Sequence, residues 1–589
     1  YVSRVASPAP GSTFSSWSSL DTDVSDVAGV ALCVVGSEVW LFYLDDDDVT
    51  IRLRVSADNG ATWGSASTVL ATGGAKTHIA AAASDGSGGS DGDVLLVWSE
   101  GAAVYRSRYT GTWGARTAAT PAFEDVTGLA VTYLLDWQVA VTGLEQTTQH
   151  ARVWAVRYGD GVNQATDTWG TLREVTGAAE GSSVLFEAPS VAWEADAWRL
   201  FFVERYLGDT AYARLQWSTL SLLWDFNEEQ WREPVAFDYA GVPGVSIAIA
   251  AARIWLCSAE GVWSSPLPAN AELDVSAQVL AATVEVTASG GRAELELEAT
   301  LWGEALLSRG ARLQLTPGYR TSSPSPEGPL PYAYWVESVE LITGPRPRVV
   351  VKARDGWALL ERWRARRQFF WTAGDKLVSQ LLLFLTARAG AEYSTIGTSA
   401  ALTTLEPAFT VHAGESGATA VRRLLAMVED AAAWDGAELV TVLTADDDDP
   451  GYSIGGDGEH AVVEAKYSDG APEVNRARVL GLAVYGEAED FADAEASGER
   501  IAQVIDVNLT DGGDAEDRAA AVLRRARLAS ELGELRLFGV HCGVELWDVV
   551  ELTDAQAGIE AQAYRVNGYA WRFEPARGRY DMQLTLGPV

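Results

Sequence analysis

Three carboxylates in the first half of the chain have the residue type that glycoside hydrolysis requires. Asp136, Glu194 and Glu204 stand at the ends of apolar segments, and cleavage of a glycosidic bond needs two or three such groups placed around it. Carboxylates at strand ends are also ordinary solvated residues. The sequence therefore nominates these three but assigns no catalytic residue.

Four tryptophans offer a second kind of chemistry, the stacking of sugar rings. Trp40, Trp98, Trp137 and Trp193 lie in or beside strand-like segments, and an indole presents a flat apolar face together with a polar N–H. Most of these rings alternate with apolar partners, a pattern that is also typical of core packing. We nominate the four as glycan contacts, with burial in the core as the alternative.

Residues that commonly bind metals do not occur at the spacing of a metal site. The loop at residues 85–93 has calcium-type ligands but neither a calcium-binding repeat nor EF-hand spacing, and the five histidines form no His-Glu-x-x-His pair. Cys33, Cys257 and Cys542 are dispersed in apolar segments and are predicted to be core residues. We predict no metal and no cofactor.

Two further clusters have a chemical and a structural interpretation. Residues 362–367 interleave four arginines with Trp363, and they could meet a phosphate, a neighbouring subunit or a helix end. Ser416 lies in a segment that lacks the last glycine of a nucleophile elbow, and we predict that it caps a helix. The acidic run at residues 446–449 predicts an exposed loop.

An eight-residue turn motif sets the expected fold of the first half. Ser56, Asp58, Gly60, Thr62 and Trp63 fit the pattern Ser-x-Asp-x-Gly-x-Thr-Trp at every fixed position. The Asp58 side chain and the permissive φ of Gly60 are expected to close a turn, with the Trp63 ring beneath it. The motif resembles the Asp box, the hairpin turn in the blades of sialidase-like propellers.

Weaker copies of this motif recur at Trp113, Trp169 and Trp231, at steps of 50, 56 and 62 residues. About four strands fit between successive copies, which is the content of one propeller blade. The sequence thus predicts a five-bladed β-propeller over residues 1–268, completed by a strand at residues 13–18. A sialidase would need three converging arginines, a Tyr-Glu pair and normally six blades, and the chain lacks this pattern.

The charge balance limits the partners of the chain. The net charge of the 589 residues is −37, which disfavours affinity for nucleic acid or an anionic membrane. The sequence shows no apolar run of membrane-spanning length and no secretion signal. Its first residue is Tyr1 rather than Met, which is compatible with a start further upstream.

The whole chain is predicted to be mainly β with an α/β insert. Short alternating strands after the propeller indicate a first barrel-like β domain at residues 269–355 and a second at 471–589. The second barrel is expected to include a strand at 477–485 and one helix at 515–532. Between the barrels, residues 356–470 are predicted to form an α/β domain with helices at 375–389 and 416–436.

Four segments of the second half resemble the tail-hub family of bacteriophages, also called baseplate-hub or late-control proteins. They are residues 273–280 (LDVSAQVL), 470–479 (GAPEVNRARV), 564–571 (YRVNGYAW) and 578–586 (GRYDMQLTL). None of them is a catalytic motif. The resemblance covers roughly residues 270–589, and the propeller departs from the basic hub pattern.

The resemblance implies a structural virion protein that is assembled in the host cytoplasm. Such a hub is a homotrimer whose paired barrels form a pseudo-sixfold ring, and it joins the tail tube to the tip and to other tail proteins. DNA would be only a passing cargo, because an acidic wall does not retain a polyanion.

Three functions remain open at the level of sequence. In the first, the chain is a tail-hub subunit whose propeller contacts host-surface glycan or a neighbouring tail protein, without catalysis. In the second, it is a phage-borne glycan depolymerase whose propeller cuts host polysaccharide, and in the third it is a free secreted lectin. Carboxylates about 5–10 Å apart beside exposed aromatic rings would favour the second function.

Overall fold

A computed structural model describes most of the chain. The described residues are 29–85, 91–118, 123–134, 136–145, 150–158, 168–170, 172–178, 184–194, 197–206, 213–223, 228–231, 235–241, 246–250, 253–258, 261–266, 273–304, 306–319, 332–456 and 460–589. The strand predicted at residues 13–18 lies outside them. The chain divides into two compact units, Tyr1–Leu222 with Glu229–Ala269, and Asn270–Val589 with Leu223–Glu228.

The described part of the first unit consists of strands and turns. The strands are β1 (Val30–Val35), β2 (Glu38–Leu44), β3 (Ile51–Ser56), β4 (Ser67–Leu70), β5 (Lys76–Asp85), β6 (Asp91–Glu100), β7 (Ala103–Tyr109), β8 (Thr117–Ala118), β9 (Phe123–Leu134), β10 (Asp136–Glu145), β11 (Ala151–Tyr158), β12 (Arg173–Gly177), β13 (Val184–Glu194), β14 (Ala197–Tyr206), β15 (Ala213–Leu223), β16 (Glu228–Trp231), β17 (Val235–Gly241), β18 (Ser246–Ala250), β19 (Arg253–Ser258) and β20 (Gly261–Pro266).

These strands form five antiparallel sheets in chain order. The first three sheets are β1–β4, β5–β8 and β9–β12, in each of which every strand pairs with the next along the chain. The fourth sheet holds β13–β16, with β17 also paired to β15, and the fifth holds β18–β20. The first strands of successive sheets adjoin one another, from β1 to β5, β9, β13 and β18.

A continuous apolar run explains why the second sheet packs against a neighbour on each face. In β6 the side chains of Val94, Leu95, Leu96, Val97 and Trp98 have no exposed surface, because both faces of this strand are covered. Two apolar clusters lie on either side of it, one shared with the first sheet and one with the third. The second sheet is thus buried between its neighbours.

The second unit mixes strands with short helices. Its elements are β21 (Val279–Thr287), β22 (Gly290–Glu298), β23 (Arg312–Leu315), β24 (Tyr332–Ile342), β25 (Arg348–Arg354), α1 (Trp357–Arg362), β26 (Phe369–Trp371), α2 (Val378–Ala389), β27 (Glu392–Ile396), α3 (Ala400–Thr404), β28 (Phe409–Val411), α4 (Gly417–Leu425), β29 (Ala431–Asp435), β30 (Glu438–Val442), β31 (Tyr452–Gly455), β32 (Val462–Tyr467), β33 (Arg476–Leu480), β34 (Tyr485–Glu489), α5 (Phe491–Ser497), β35 (Ile501–Ile505), α6 (Gly512–Leu528), β36 (Gly533–Phe538), β37 (Val549–Asp554), β38 (Ile559–Glu574) and β39 (Arg579–Gly587).

One eleven-stranded sheet joins the two strand sets that the sequence assigns to separate barrels. Its order is β23-β24-β25-β22-β21-β38-β39-β36-β32, with β37 on β38 and β31 on β37. The junction is the antiparallel pair β21 and β38, in which Val284 faces Trp571. Among the described strands the sheet is not closed into a barrel, so two separate barrels are replaced by one shared sheet and one shared apolar core.

The α/β insert has a core of its own. Helices α1, α2 and α4 pack around Leu360, Leu382 and Leu424, which have no exposed surface. The helix predicted at 375–389 is present as α2, although it begins at Val378.

The helix predicted at 416–436 ends at Leu425 instead. Residues 431–435 form β29, which folds back on β30 around Gly436 at a φ of 54°. An alanine-rich segment thus becomes a strand, because pairing with β30 outweighs its intrinsic helix preference.

A second α/β module, at residues 476–528, replaces the barrel strand predicted at 477–485. That segment forms β33, a turn and the start of β34. Strand β35 pairs in parallel with β33, and α6 covers one face of this small sheet through Ala515 and Ala519. The helix predicted at 515–532 corresponds to α6, shifted by about one turn.

Candidate functional site

The turn from Ser56 to Trp63 is closed by hydrogen bonds between its own residues. The Ser56 hydroxyl accepts from the Gly60 amide at 2.7 Å and donates to an Asp58 oxygen at 2.8 Å. Asp58 also accepts from the amide and the hydroxyl of Thr62, both at 2.7 Å. These bonds from Thr62, followed by that from Ser56, lower the pKa of Asp58 to about 2. A Cβ on Gly60 would lie 3.6 Å from the Trp63 ring, which places this ring beneath the turn.

One backbone contact recurs in three successive turns of the first unit. The glycine after each motif tryptophan donates its amide to a carbonyl of the strand before the turn, in the pairs Gly64 to Val55, Gly114 to Arg108 and Gly170 to Arg157, each at 2.8 Å. The loops that these bonds close differ in length. The Trp-Gly pair therefore fixes where the strands end, whatever loop lies between them.

Three of the four tryptophans nominated for glycan contact lie in the core. Trp98 and Trp137 have no exposed surface, and Trp40 is 7% exposed. Their rings pack against other aromatic rings. The nomination is corrected for these three, because a sugar ring can stack only on an accessible indole face and these rings are buried among other side chains. Trp193 is half-buried against Trp198 and stays a prediction.

The backbone positions of Glu194 and Glu204 lie far apart in the hairpin β13–β14. Glu194 lies beside Ala197 at one end of this hairpin, and Glu204 lies seven residues further along β14. At about 3.3 Å per residue these two backbone positions are roughly 23 Å apart, whereas glycosidase carboxylates lie within ~10 Å of each other. Glu204 accepts a hydrogen bond from the Gln216 amide, and Asp136 is buried at the start of β10.

A buried ion-pair network that the sequence analysis did not single out fastens the second sheet. The Lys76 ammonium is 1% exposed, donates to three backbone carbonyls, of which Val49 is nearest at 2.6 Å, and lies 3.5 Å from Glu100. Glu100 also accepts from the Trp98 indole at 2.8 Å and from Arg116. The network is internally bonded, so it holds turns together rather than presenting a reactive group. Lysine is rare in this chain, and this rarity is the one sequence feature that could have drawn attention to Lys76.

The acidic run at residues 446–449 forms a loop whose carboxylates pair with arginines of other elements. Asp448 accepts from Arg565 at 2.7 Å, and Asp446 accepts from Arg524 and Arg527. Arg565 is 1% exposed and donates further to the carbonyl oxygen of Trp547 at 2.8 Å. The run therefore ties the insert to strand β38 and helix α6.

The arginine cluster at residues 362–367 lies against the segment before α4. Arg364 donates to the Gly414 carbonyl at 3.4 Å, and the Arg367 guanidinium lies 4.7 Å from the centre of the Phe369 ring. The predicted cap is confirmed, because the Ser416 hydroxyl accepts from the Thr419 amide at 3.2 Å. The cluster thus pairs with a helix end, one of the roles that the sequence left open.

A group of half-buried carboxylates lies beside the start of β37. Burial, together with the nearby charges of Asp435 and Asp548, raises the pKa of Glu545 to about 7. Burial also raises the pKa of Asp355 to about 7, although this side chain accepts from the amides of Gly291 and Trp357. Their raised pKa values result from burial in the folded unit and do not mark a reactive site.

Among the described residues, nothing covers one face of the small sheet. Opposite α6, the register places Leu480 between Tyr485 and Ile505, and Arg478 beside Glu487. Tyr485 is 47% and Ile505 69% exposed. Strand β35 is also an edge of this sheet. We call this surface the open sheet face, and exposed apolar surface on an edge strand is typical of contact with another protein.

No metal group and no membrane-spanning helix occur in the described residues. The His, Cys, Asp and Glu side chains of the described ranges form no set of three that could hold a metal ion. In the same part of the chain, every helix is too short or too polar to cross a bilayer. Cys33 and Cys542 are free thiols.

No protein-family model and no curated protein matches the chain. Among solved structures it is similar to a tail protein from Neisseria meningitidis, with a TM-score of 0.41 and 11% identity over 53% of this chain and 92% of that one. A 43 kDa tail protein of prophage MuSo2 from Shewanella oneidensis gives a TM-score of 0.35 and 14% identity over 57% and 98% of the two chains.

An endo-arabinase from Bacteroides thetaiotaomicron gives a TM-score of 0.29 and 12% identity over 41% of this chain and 94% of that one. At these scores the likenesses assign neither a family nor an activity.

Proposed function

We propose that the chain is a structural subunit of a phage-type tail, a hub protein that assembles as a homotrimer between the tail tube and the tip. The pairing of β21 with β38 carries this proposal. The segments that resemble the opening and the close of tail-hub proteins, residues 273–280 and 564–571, are far apart in sequence. The first segment leads into β21, whose residues 282–287 pair with residues 568–573 of β38, and residues 578–586 follow on β39. A continuous sheet of this kind suits a rigid platform from which the other modules project.

For the first unit we propose a five-bladed propeller that contacts a neighbouring tail protein or host-surface glycan. Two features support this arrangement: the first strands of the five sheets adjoin in order, and the Trp-Gly contact recurs in three turns. The fifth sheet has three strands among the described residues. The segment at residues 13–18 is proposed to supply its fourth strand.

The open sheet face is the proposed contact between copies. Arg476 and Arg478 pair with Glu487, Glu489 and Glu499, so most of the negative charge of this group is compensated. In a chain of net charge −37, a surface with exposed apolar side chains and little uncompensated charge is where two copies approach with less repulsion. Each apolar side chain buried there adds to the stability of the assembly.

The mass in solution tests the assembly. Light scattering after size exclusion is expected to give three times the 63.0 kDa mass of one chain. Electron microscopy of tail particles that carry the protein is expected to place it on the tail axis with threefold symmetry. A wild-type protein that stays monomeric and is absent from particles would overturn the hub assignment.

A matched pair of variants tests the open sheet face. Ile505→Asp places a charge at an exposed position of this face, and Ile396→Asp makes the same change at an isoleucine that is 60% exposed at the end of β27. The first variant is expected to lower the trimer fraction, and the second is expected to leave it unchanged. An equal trimer fraction for both variants would show that the subunit contact does not involve β35.

A further inference from the structure

A cavity of about 360 Å³ lies where the insert, α6 and the large sheet meet. Its walls come from the end of α4, the start of β29, the last turn of α6, the β21–β22 hairpin and the loop before β37. Its volume is at the small end of the ~300–1,000 Å³ range of ligand pockets. None of the residues nominated from the sequence lies in its walls.

Arg525 supplies an unbalanced positive charge to this cavity. Its Nη2 donates to the carbonyl oxygens of Leu425 and Val428, the second at 2.6 Å. No carboxylate of the described residues lies within ion-pair distance of it. Burial, and then the charge of Arg518, lower the pKa of Arg525 to about 10. Two carbonyls engage one nitrogen only, which leaves the rest of a five-donor guanidinium for another acceptor.

The other charged residues of the wall do not neutralise Arg525. Asp430 is 1% exposed and accepts from the amide of Ser399 at 3.0 Å and from its hydroxyl. Arg422 adds a second guanidinium, 4.6 Å from the centre of the Trp357 ring and 4.0 Å from Glu361. The cavity therefore holds two cations and one carboxylate that is already hydrogen-bonded.

Alanines, leucines and two indoles make the rest of the wall apolar. Trp357 is 3% exposed and lies edge-on to Trp434. Trp547 has a φ of 77°, which a bulky residue rarely adopts, and its indole donates to the Ala432 carbonyl at 3.0 Å. Conformations of this kind persist where the surroundings fix them, and they are frequent at binding sites.

We propose that this cavity binds a small free carboxylic acid that carries an aromatic or apolar group. The carboxylate accepts from Arg525 in a charge-assisted pair, and the apolar part fills the space between the apolar wall residues, Leu425 and Leu528 among them. Apolar walls disfavour phosphate or sulfate, which would lose more hydration than two arginines restore. This site is independent of the proposed tail function.

Binding of 3-phenylpropionate to the full chain, measured by calorimetry, tests the proposal. The acid is expected to bind at least tenfold more tightly than 3-phenylpropanamide, which has the same shape without the charge. Arg525→Gln is expected to weaken acid binding roughly 10- to 100-fold, the loss of one charge-assisted hydrogen bond. Arg527→Gln removes the same charge two residues away, where the side chain pairs with Asp446, and is expected to bind the acid like the wild type.

A second variant keeps the test valid if Arg525→Gln fails to fold. Ala426→Leu keeps both arginines and occupies part of the cavity from a wall position, so it is expected to weaken binding of the acid. Three results would each overturn the proposal: no binding of the acid to the wild type, equal binding of acid and amide, or unchanged binding to Ala426→Leu.

Discussion

Single polar side chains determine the geometry of the tightest turns in this chain. Ser56 is 1% exposed, and its hydroxyl bonds to both the Gly60 amide and Asp58. Ser56→Ala removes the hydrogen bonds of the hydroxyl to both partners. We therefore expect the free energy of unfolding of the first unit to fall by about 1–2 kcal/mol. Urea unfolding, monitored through the hydrogen exchange of amides in the first unit, measures this change.

Ser65→Ala is the matched control for Ser56→Ala. Ser65 is exposed just beyond the same turn, and its truncation is expected to leave the unfolding midpoint unchanged. Equal midpoints for the two variants would show that the hydroxyl of Ser56 contributes nothing to the turn.

Glu545 is expected to make stability depend on pH. Its pKa rises from 4.5 to about 7 on folding, because burial and the charges of Asp435 and Asp548 disfavour the ionised form. The folded state thus holds this proton more tightly than the unfolded state, so stability falls as the pH rises from about 4.5 to about 7. Glu545→Gln removes this loss of stability. The melting temperature of the variant, relative to that of the wild type, should therefore rise as the pH increases across that interval.

The exposed Glu531 provides the control for Glu545→Gln. Glu531→Gln makes the same chemical change and is expected to melt in parallel with the wild type as the pH varies. A constant difference between Glu545→Gln and the wild type at every pH would contradict the assigned role of burial.

At the residue scale, the sequence predicted local bonding better than long-range bonding. The Asp58 turn and the Ser416 cap follow from residue types within a few positions. The contact of Lys76 with Val49, and that of Arg565 with Ala445, join residues distant in the chain. No local pattern encodes such pairs, since they depend on how the elements pack.

At the scale of elements, close backbone contacts decide how α6 packs on the small sheet. A Cβ on Gly486 would fall on the backbone carbonyl of Ala515, nearer than atoms can approach. Gly486→Ala must push α6 away from β34, and we expect a loss of about 1–3 kcal/mol in the stability of this module. Hydrogen exchange of α6 amides reports the change.

Gly512 gives the contrasting substitution on the same helix. A Cβ there meets no atom within 4 Å, and alanine favours the helix over glycine by about 0.5–1 kcal/mol. Gly512→Ala is thus expected to leave α6 protection equal or higher. Loss of protection in both variants would point to the helix end rather than to the contact at Gly486.

Strands were predicted more reliably than their partners. The alternating strands expected within residues 471–589 are present as β36, β38 and β39. The pairing of β21 with β38 was not predicted, because alternation identifies the face of a strand but not its neighbour. Two barrels were therefore predicted where the chain builds one sheet.

At the scale of the whole molecule, charge governs association. Each copy has a net charge of −37, so copies in solution repel one another. Salt shortens the range of this repulsion from about 30 Å at 0.01 M to about 8 Å at 0.15 M. If apolar contact at β35 holds the trimer, the trimer fraction is expected to rise with salt across this interval.

Sedimentation velocity over a salt series measures that fraction directly. Ile505→Asp should assemble less than the wild type at every salt concentration, because the variant loses apolar contact that salt does not restore. A wild-type trimer that dissociates as salt is added would contradict this account. It would show that ion pairs between copies, rather than the open sheet face, stabilise the assembly, because added salt weakens exposed ion pairs.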